Sequence, residues 1–281
     1  MYRLGLQSTE LSIYYKLKKR ERMLNLLQNP KWDIARVSHS TLVNADCFDV
    51  FPFIEDKSID AIICDLPYGT TQCKWDSVLP LDKLWNEYER VIKPNGVIVL
   101  TASQPFTTKL ISSKFNLFRY ELIYGKTKSS NFMQAKRQPL KTHENILVFY
   151  KKLGTYNPQM TKAVVLDKRK KEKQYSHKEG SVNEGQKTFR KVENGLRYPT
   201  SSLLFNNSDK TKNEHPTQKP LALMEWLVKT YTNEGDTVLD NTMGSGTCGL
   251  AAIKNNRRFI GIEKEKQYYD VAVKRLSETL F

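Results

Sequence analysis

Histidine and paired cysteine are scarce in this sequence. It holds 4 histidines and 4 cysteines, and Cys47, Cys64, Cys73 and Cys248 form no C-x-x-C pair. A disulfide framework and a zinc site are therefore not expected, and no metal is implied. Three of the thiols lie in or beside strand-like apolar runs, which fits reduced, buried cysteines in a cytoplasmic protein. No apolar run approaches the ~20 residues of a membrane-spanning helix. Met1 to Arg20 lacks the apolar centre of a secretory signal. Acidic residues are also in short supply: 30 Asp and Glu face 45 Lys and Arg, a net charge of +15 over 281 residues. Such a surface suits an anionic polymer, nucleic acid before an anionic membrane.

What is present is an alternation of strands and helices. A chain of this length accommodates one large α/β domain, or a domain with a lobe. Residues 1–40 read as a basic, helix-leaning N-terminal extension (Lys16, Lys18, Lys19, Arg20, Arg22). Over 41–150 the apolar run Ala61 to Cys64 suits a buried strand. Leu81, Leu84, Trp85, Tyr88, Val91 and Ile92 then recur at helical spacing, and Pro94-Asn95-Gly96 is expected to stop that helix before a strand at Val97 to Leu100. Residues 120–124 and 146–150 read as two more strands. Residues 151–198 break the pattern, with ten Lys and three Arg against five acids and little apolar periodicity. Over 199–281 the alternation returns, with helices expected over 219–231, 247–256 and 266–279 and strands over 237–240 and 258–263. The pattern predicts an α/β fold: a doubly wound, mostly parallel, Rossmann-like sheet in two halves, 41–150 and 199–281, with the basic stretch inserted between them.

Gly244-Ser245-Gly246-Thr247-Cys248-Gly249 fits G-x-G-x-x-G between an expected strand and helix. Glycines let a backbone turn tightly and approach a ligand closely. Glu263 closes the next strand, where an acid can accept hydrogen bonds from ribose hydroxyls. Asp240 ends the strand before the turn. A carboxylate there repels a pyrophosphate and attracts an ammonium or sulfonium, which favours S-adenosylmethionine over NAD.

Asp65-Leu66-Pro67-Tyr68-Gly69 follows the strand ending at Cys64, at the edge where α/β sheets place ligands. An exocyclic amine on a base is a poor nucleophile because its lone pair is delocalised into the ring. Hydrogen bonds accepted by Asp65 and by the Leu66 carbonyl would draw that nitrogen toward tetrahedral geometry. Pro67 stiffens the turn and keeps Leu66 out of helical geometry. Tyr68 offers a face on which an extruded base can stack.

Asp65-Leu66-Pro67-Tyr68 resembles the D-[PL]-P-Y signature of amino-methyltransferases acting on DNA. His215-Pro216-Thr217-Gln218-Lys219-Pro220, then Val238-Leu239-Asp240 and Gly244-Ser245-Gly246-Thr247, look like the cofactor half of the same family. The catalytic loop precedes the glycine turn by about 180 residues, an order that resembles the β-class of adenine-N6 and cytosine-N4 DNA methyltransferases. The resemblance implies S-adenosylmethionine as cofactor, held by Asp46, Cys47, Asp65, Thr217, Gln218, Lys219, Asp240, Gly244, Ser245, Gly246, Thr247 and Glu263. Thr217, Gln218 and Lys219 would line its methionine end, and Asn44-Ala45-Asp46-Cys47 its adenine. His143-Glu144 matches a segment beside the base pocket. The sequence departs from the family at Asn241-Thr242, where Pro-Phe is usual, and at Leu66, where proline is commoner.

Asp65 resembles the adenine enzymes, since a serine there would resemble the cytosine-N4 ones. Methylation of an RNA base or a protein glutamine amide is a second enzyme reading, and a DNA-binding module with a vestigial site a third. The protein-directed enzymes place the glycine turn first, and intact Asp65, Tyr68, Asp240 and Glu263 argue against a vestigial site. The partner implied is double-stranded DNA, and the resemblance allows a cognate restriction nuclease. The inserted stretch 151–198 occupies the target-recognition position, with Lys168, Arg169, Lys170 and Lys171 against the duplex. Replacing those four by alanine is expected to weaken binding to all DNA sequences and to flatten its salt dependence, each lost phosphate contact removing ~0.9 from the log–log slope. A salt titration of DNA affinity checks this, and a slope equal to the parent's would place the DNA face elsewhere.

Overall fold

The computed structural model describes residues 29–69, 76–162, 174–176, 187–189, 196–206 and 218–280. The chain divides into two units, Met1–Asn157 with Ser201–Phe281, and Pro158–Thr200. The first strands are β1 (Asp33–Val37), β2 (Ser40–Asn44), β3 (Ile59–Asp65), β4 (Ile92–Ala102), β5 (Phe118–Ser130) and β6 (Lys141–Phe149). The smaller unit contains β7 (Thr161–Lys162), β8 (Gln174–Ser176), β9 (Lys187–Phe189) and β10 (Leu196–Arg197). There β7 pairs with β10 and β8 with β9, both antiparallel. The larger unit resumes with β11 (Ser202–Phe205), β12 (Thr237–Asp240) and β13 (Arg258–Glu263).

The larger unit holds one sheet in the order β1-β2-β13-β12-β3-β4-β6-β5-β11. From β2 to β4 every neighbour is parallel. Only β1 and β6 run against their neighbours. The central strands are apolar on both faces, as a covered parallel sheet requires. Successive residues of β3 feed opposite cores: Ala61 and Ile63 one, Ile62 and Cys64 the other. One face is covered by α4 (Leu221–Tyr231), α5 (Thr247–Lys254) and α6 (Lys266–Ser277), through residues such as Leu227, Ala251 and Leu276. The other is covered by α1 (Cys47–Val50), α2 (Leu81–Val91) and α3 (Phe106–Ser113). Helix α2 buries Leu81, Leu84, Trp85, Tyr88 and Val91, the stripe its spacing predicts. The doubly wound α/β expectation holds.

Two local expectations are corrected. The sheet begins at Asp33, so the last residues of the stretch read as an extension are β1 and its turn into β2. Pro94-Asn95-Gly96 lies inside β4, because α2 passes into the strand directly at Ile92. Pairing with β3 shifts register between Ile59↔Ile92 and Ala61↔Val97, and a bulge is where a sheet tolerates proline.

Gly246 stands at the head of α5 with φ +76°, and a β-carbon there would lie 2.9 Å from Ala272 Cβ. Gly235 also has positive φ, +81°, with open space around it. Each changed to alanine incurs the left-handed backbone penalty, on the order of 1 kcal/mol. Gly246→Ala is expected to lose a further ~1–3 kcal/mol from overpacking against α6. Urea unfolding of the two variants checks this, and equal losses would show that α6 yields without cost.

Candidate active site

Three neighbouring strands, β3, β12 and β13, end at the same edge of the sheet in Asp65, Asp240 and Glu263. Thr101, opposite Asp65 on β4, extends the row. Behind that edge opens a cleft of ≈1620 Å³, larger than the ~300–1,000 Å³ of a single small-ligand site. Asp46, Asp65, Tyr68, Lys219, Asp240 and Glu263 all line it, as do Cys47, Leu66, Pro67, Gln218, Gly244, Ser245 and Thr247. The structure thus brings together most of the residues that the sequence singled out. Thr217 and Lys168, Arg169, Lys170 and Lys171 lie outside the described residues.

Asp65 is held from several sides. The Tyr68 hydroxyl lies 2.7 Å from Asp65 Oδ1 and 2.8 Å from the Thr101 hydroxyl, and Thr101 donates to that same Oδ1. Lys219 Nζ lies 2.6 Å from Oδ2. The hydroxyl of Thr242 donates to the Asp65 backbone carbonyl at 3.2 Å. The Tyr68 ring is stacked on Phe106, with centroids 5.5 Å apart, so only part of its surface is left for a base. Burial and the neighbouring Asp65 keep the Tyr68 phenol well above its ordinary pKa.

Lys219 is only 8% exposed and also lies 3.2 Å from Glu144 Oε2. Lys126 pairs with the other Glu144 oxygen. Burial disfavours both charges, yet each is outweighed by its partners. The carboxylates of Asp65 and Glu144 hold the Lys219 ammonium well above the usual lysine value. The two ammonium groups hold Glu144 down at about 2. Sequence reading gave Lys219 to the cofactor; the structure puts its ammonium on the carboxylate of the catalytic loop.

The cofactor half is built from backbone and buried acids. Glu263 accepts from the N–H of Gly244 and of Glu265, each at 2.8 Å. Gly244 has positive φ, +51°, which brings its N–H to that carboxylate. Ser245 donates to Gln218 Oε1 at 3.0 Å and accepts from Arg275. Asp46 caps α1 through the Phe48 N–H at 3.0 Å. Asp240 is buried and accepts from the Thr242 N–H at 3.1 Å. No lysine or arginine among the described residues pairs with it, and burial pushes its carboxyl up to about 8. A buried acid in that condition fits a cationic ligand group such as an ammonium. Burial also pushes the Cys47 thiol up to about 12 and raises Cys64 and Cys248 well above the ordinary value.

Thr101, Thr242 and Arg275 were not anticipated. Thr101 is a polar residue directly after the Val97 to Leu100 run, a signal that could have been used. Arg275 had none, since its role depends on how α6 docks. Asn241, at the family's usual proline, is buried and accepts from Tyr88 at 2.6 Å and Cys64 at 3.2 Å.

The sequence matches the family described as DNA methylase over residues 59–274. The chain belongs to the DNA methylase family. The methylase is 29% identical to Type II methyltransferase M.HpaI of Haemophilus parainfluenzae, over 84% of this chain and 73% of that protein. It is 28% identical to the DNA adenine methyltransferase YhdJ of Escherichia coli K12, over 84% of this chain and 82% of that protein. The crystal structure of the M1.HpyAVI–SAM complex superposes with a TM-score of 0.57 at 28% identity, covering 84% of this methylase and 98% of that chain. PvuII DNA methyltransferase, cytosine-N4-specific, shares the fold at 13% identity, with a TM-score of 0.61 over 88% of this chain and 94% of that one. Family membership bears out the expected methyltransferase sheet, S-adenosylmethionine as methyl donor and DNA as substrate class.

The raised carboxyl of Asp240 has a consequence for stability. The folded protein binds that proton more tightly than the unfolded chain, whose aspartates titrate near ~3.9. The contribution to folding is therefore full below that value and is lost as pH rises through about 8. Asp240→Asn keeps the acceptor for the Thr242 N–H and carries no charge. Its ligand-free stability is expected to gain on the parent's between roughly pH 5 and pH 9. Urea unfolding at both ends of that range checks this, and parallel pH profiles would refute an elevated Asp240.

Proposed function

We propose that this methylase transfers a methyl group from S-adenosylmethionine to the N6 amine of adenine in a specific duplex sequence, after the base has left the helix. The observation that carries the reading is the placement of Asp65, with its carboxylate oriented by Lys219, Tyr68 and Thr101, in one cleft with Asp240 and Glu263. The relative named as a DNA adenine methyltransferase supports adenine as the base.

When bound, S-adenosylmethionine supplies an electrophilic methyl group on a positive sulfonium. Asp240 would hold the ammonium of that ligand, and Glu263 its ribose, through the lone pairs that Gly244 and Glu265 leave free. Gly244, Ser245 and Thr247 form the floor, with Gly246 turning the backbone behind it against Ala272, and Arg275 steadies them. Asp46 and Cys47, which line the cleft, would border the ligand's adenine end. Asp65 accepts one hydrogen of the target amine, and the Leu66 carbonyl accepts the other. The nitrogen lone pair is then freed from the ring and directed at the methyl group. Lys219 and Thr101 keep the carboxylate from turning away, which preserves the geometry on which such catalysis depends. Pro67 fixes the loop, and the exposed part of Tyr68 meets the base.

The stretch 151–198 serves target recognition in this reading, with Lys168, Arg169, Lys170 and Lys171 on phosphates. The Type II names of the relatives support a companion restriction nuclease. A cytoplasmic setting agrees with buried, unpaired thiols and with the lack, among the described residues, of a helix able to cross a membrane.

Asp65→Ala is expected to abolish methyl transfer to plasmid DNA and to leave cofactor affinity nearly intact. Lys219 keeps Glu144 as a partner in that variant, so the cleft stays paired. Asp240→Ala and Glu263→Ala are expected to lose ~1.5–3 kcal/mol of cofactor binding, roughly ten- to a hundredfold. Labelled-methyl incorporation and calorimetry with S-adenosylmethionine check the set. Near-parental turnover by Asp65→Ala would overturn the mechanism, and a methyl group mapped to cytosine N4 would overturn the choice of base.

A further inference from the structure

Strands β5 and β6 form an antiparallel hairpin whose pairing is regular from Tyr120↔Val148 to Gly125↔His143 and then skips to Ser130↔Lys141. Beyond that skip the chain projects as a tip, residues 131–140. Asn131 takes a left-handed conformation, φ +69°, and Phe132–Gln134 form a single 3-10 turn. The tip presents two consecutive apolar side chains to solvent: Phe132 is 65% exposed and Met133 97%. Scattered surface apolar residues need no explanation. This pair differs in three ways. It sits on a turn, where nothing in the fold demands an apolar residue. Its neighbours in sequence are basic, since residues 127–143 contain three Lys and one Arg and no acid. The tip and the hairpin arms, through Phe132 and Lys141, line the same cleft as Asp65 and Tyr68.

Apolar side chains flanked by cations suit a duplex that is to be opened. The cations meet phosphates, and the apolar group takes the place of a stacked base. Extruding a base breaks its pairing and two stacking contacts, and an apolar side chain that enters the gap replaces part of the lost stacking. We propose that the β5–β6 tip enters the duplex at the target pair, with Phe132 and Met133 filling the space the adenine vacates and Lys136 and Arg137 on the flanking phosphates. The proposal rests on the methyl-transfer reading above and adds the group that holds the duplex open.

The test uses the full chain with S-adenosylmethionine. The methylated site is first mapped on plasmid DNA. Two short duplexes are then made: one with the target adenine paired, the other with an abasic position opposite it. Phe132→Ala/Met133→Ala is expected to methylate the paired duplex roughly tenfold or more slowly than the parent. On the abasic duplex, where the adenine has no partner to leave, it is expected to approach the parental rate. Because both residues are exposed the variant should fold, and an unchanged affinity for S-adenosylmethionine verifies that it has. Equal loss on both duplexes, or no loss on either, overturns the proposal while leaving the methyl-transfer reading in place. A parent that methylates no plasmid DNA overturns both. Loss of self-association in the variant with unchanged rates would assign the pair to contact between two copies of the chain, and overturns it too.

Discussion

Mutual repulsion among acids at the strand ends is the constraint around which the site is arranged. Asp65, Asp240 and Glu263 stand on adjacent strands, partly or wholly out of water, where like charges interact strongly. Each is stabilised by a different device. Asp65 has an ammonium and hydroxyls. Glu263 has two backbone N–H groups, one of them from the glycine turn. Asp240 has one backbone N–H and otherwise keeps its proton. A row of three identical solutions would leave no place for a cationic ligand. The unequal treatment leaves one acid, Asp240, ready to exchange a proton for such a group.

The same constraint ties the two halves of the chain together. Lys219 enters from the second half and Asp65 from the first, 154 residues apart in sequence. Glu144 completes the bridge from β6. Removing Lys219 would leave the Asp65 carboxylate without its ammonium, and losing one partner of an ion pair costs more than the pair itself contributes. The catalytic loop is thus held in place by residues that have to be brought there by the whole sheet, and its geometry cannot form before the sheet does.

Much of this architecture was legible in the sequence because burial leaves a periodic trace. The run Ala61 to Cys64 and the stripe Leu81 to Val91 predicted β3 and α2, and the glycine turn predicted the head of α5. What periodicity records is which side of an element faces the core, not what it meets there. Lys219 was therefore seen as a polar residue of a motif, while its pairing with Asp65 depended on a contact across the fold. Arg275 looked like any surface residue of an amphipathic helix. Pro94 read as a terminator because the bulge that tolerates it is set by pairing with Ile59 and Ala61, which no local pattern encodes. At β1 the alternation is too short, and too exposed on its outer side, to stand out from the basic stretch before it.

The buried groups around the cleft bear on a hazard that any such enzyme faces. Its methyl donor is an alkylating agent, and a side chain with a free lone pair nearby would compete with the substrate for the methyl group. Only the deprotonated forms of thiols, phenols and amines are good nucleophiles. Burial keeps the thiols of Cys47, Cys64 and Cys248 protonated, and burial with the charge of Asp65 does the same for the phenol of Tyr68. The carboxylates beside Lys219 keep its nitrogen fully protonated, with no lone pair to offer. The interactions that shape the site thereby also protect it from methylating itself.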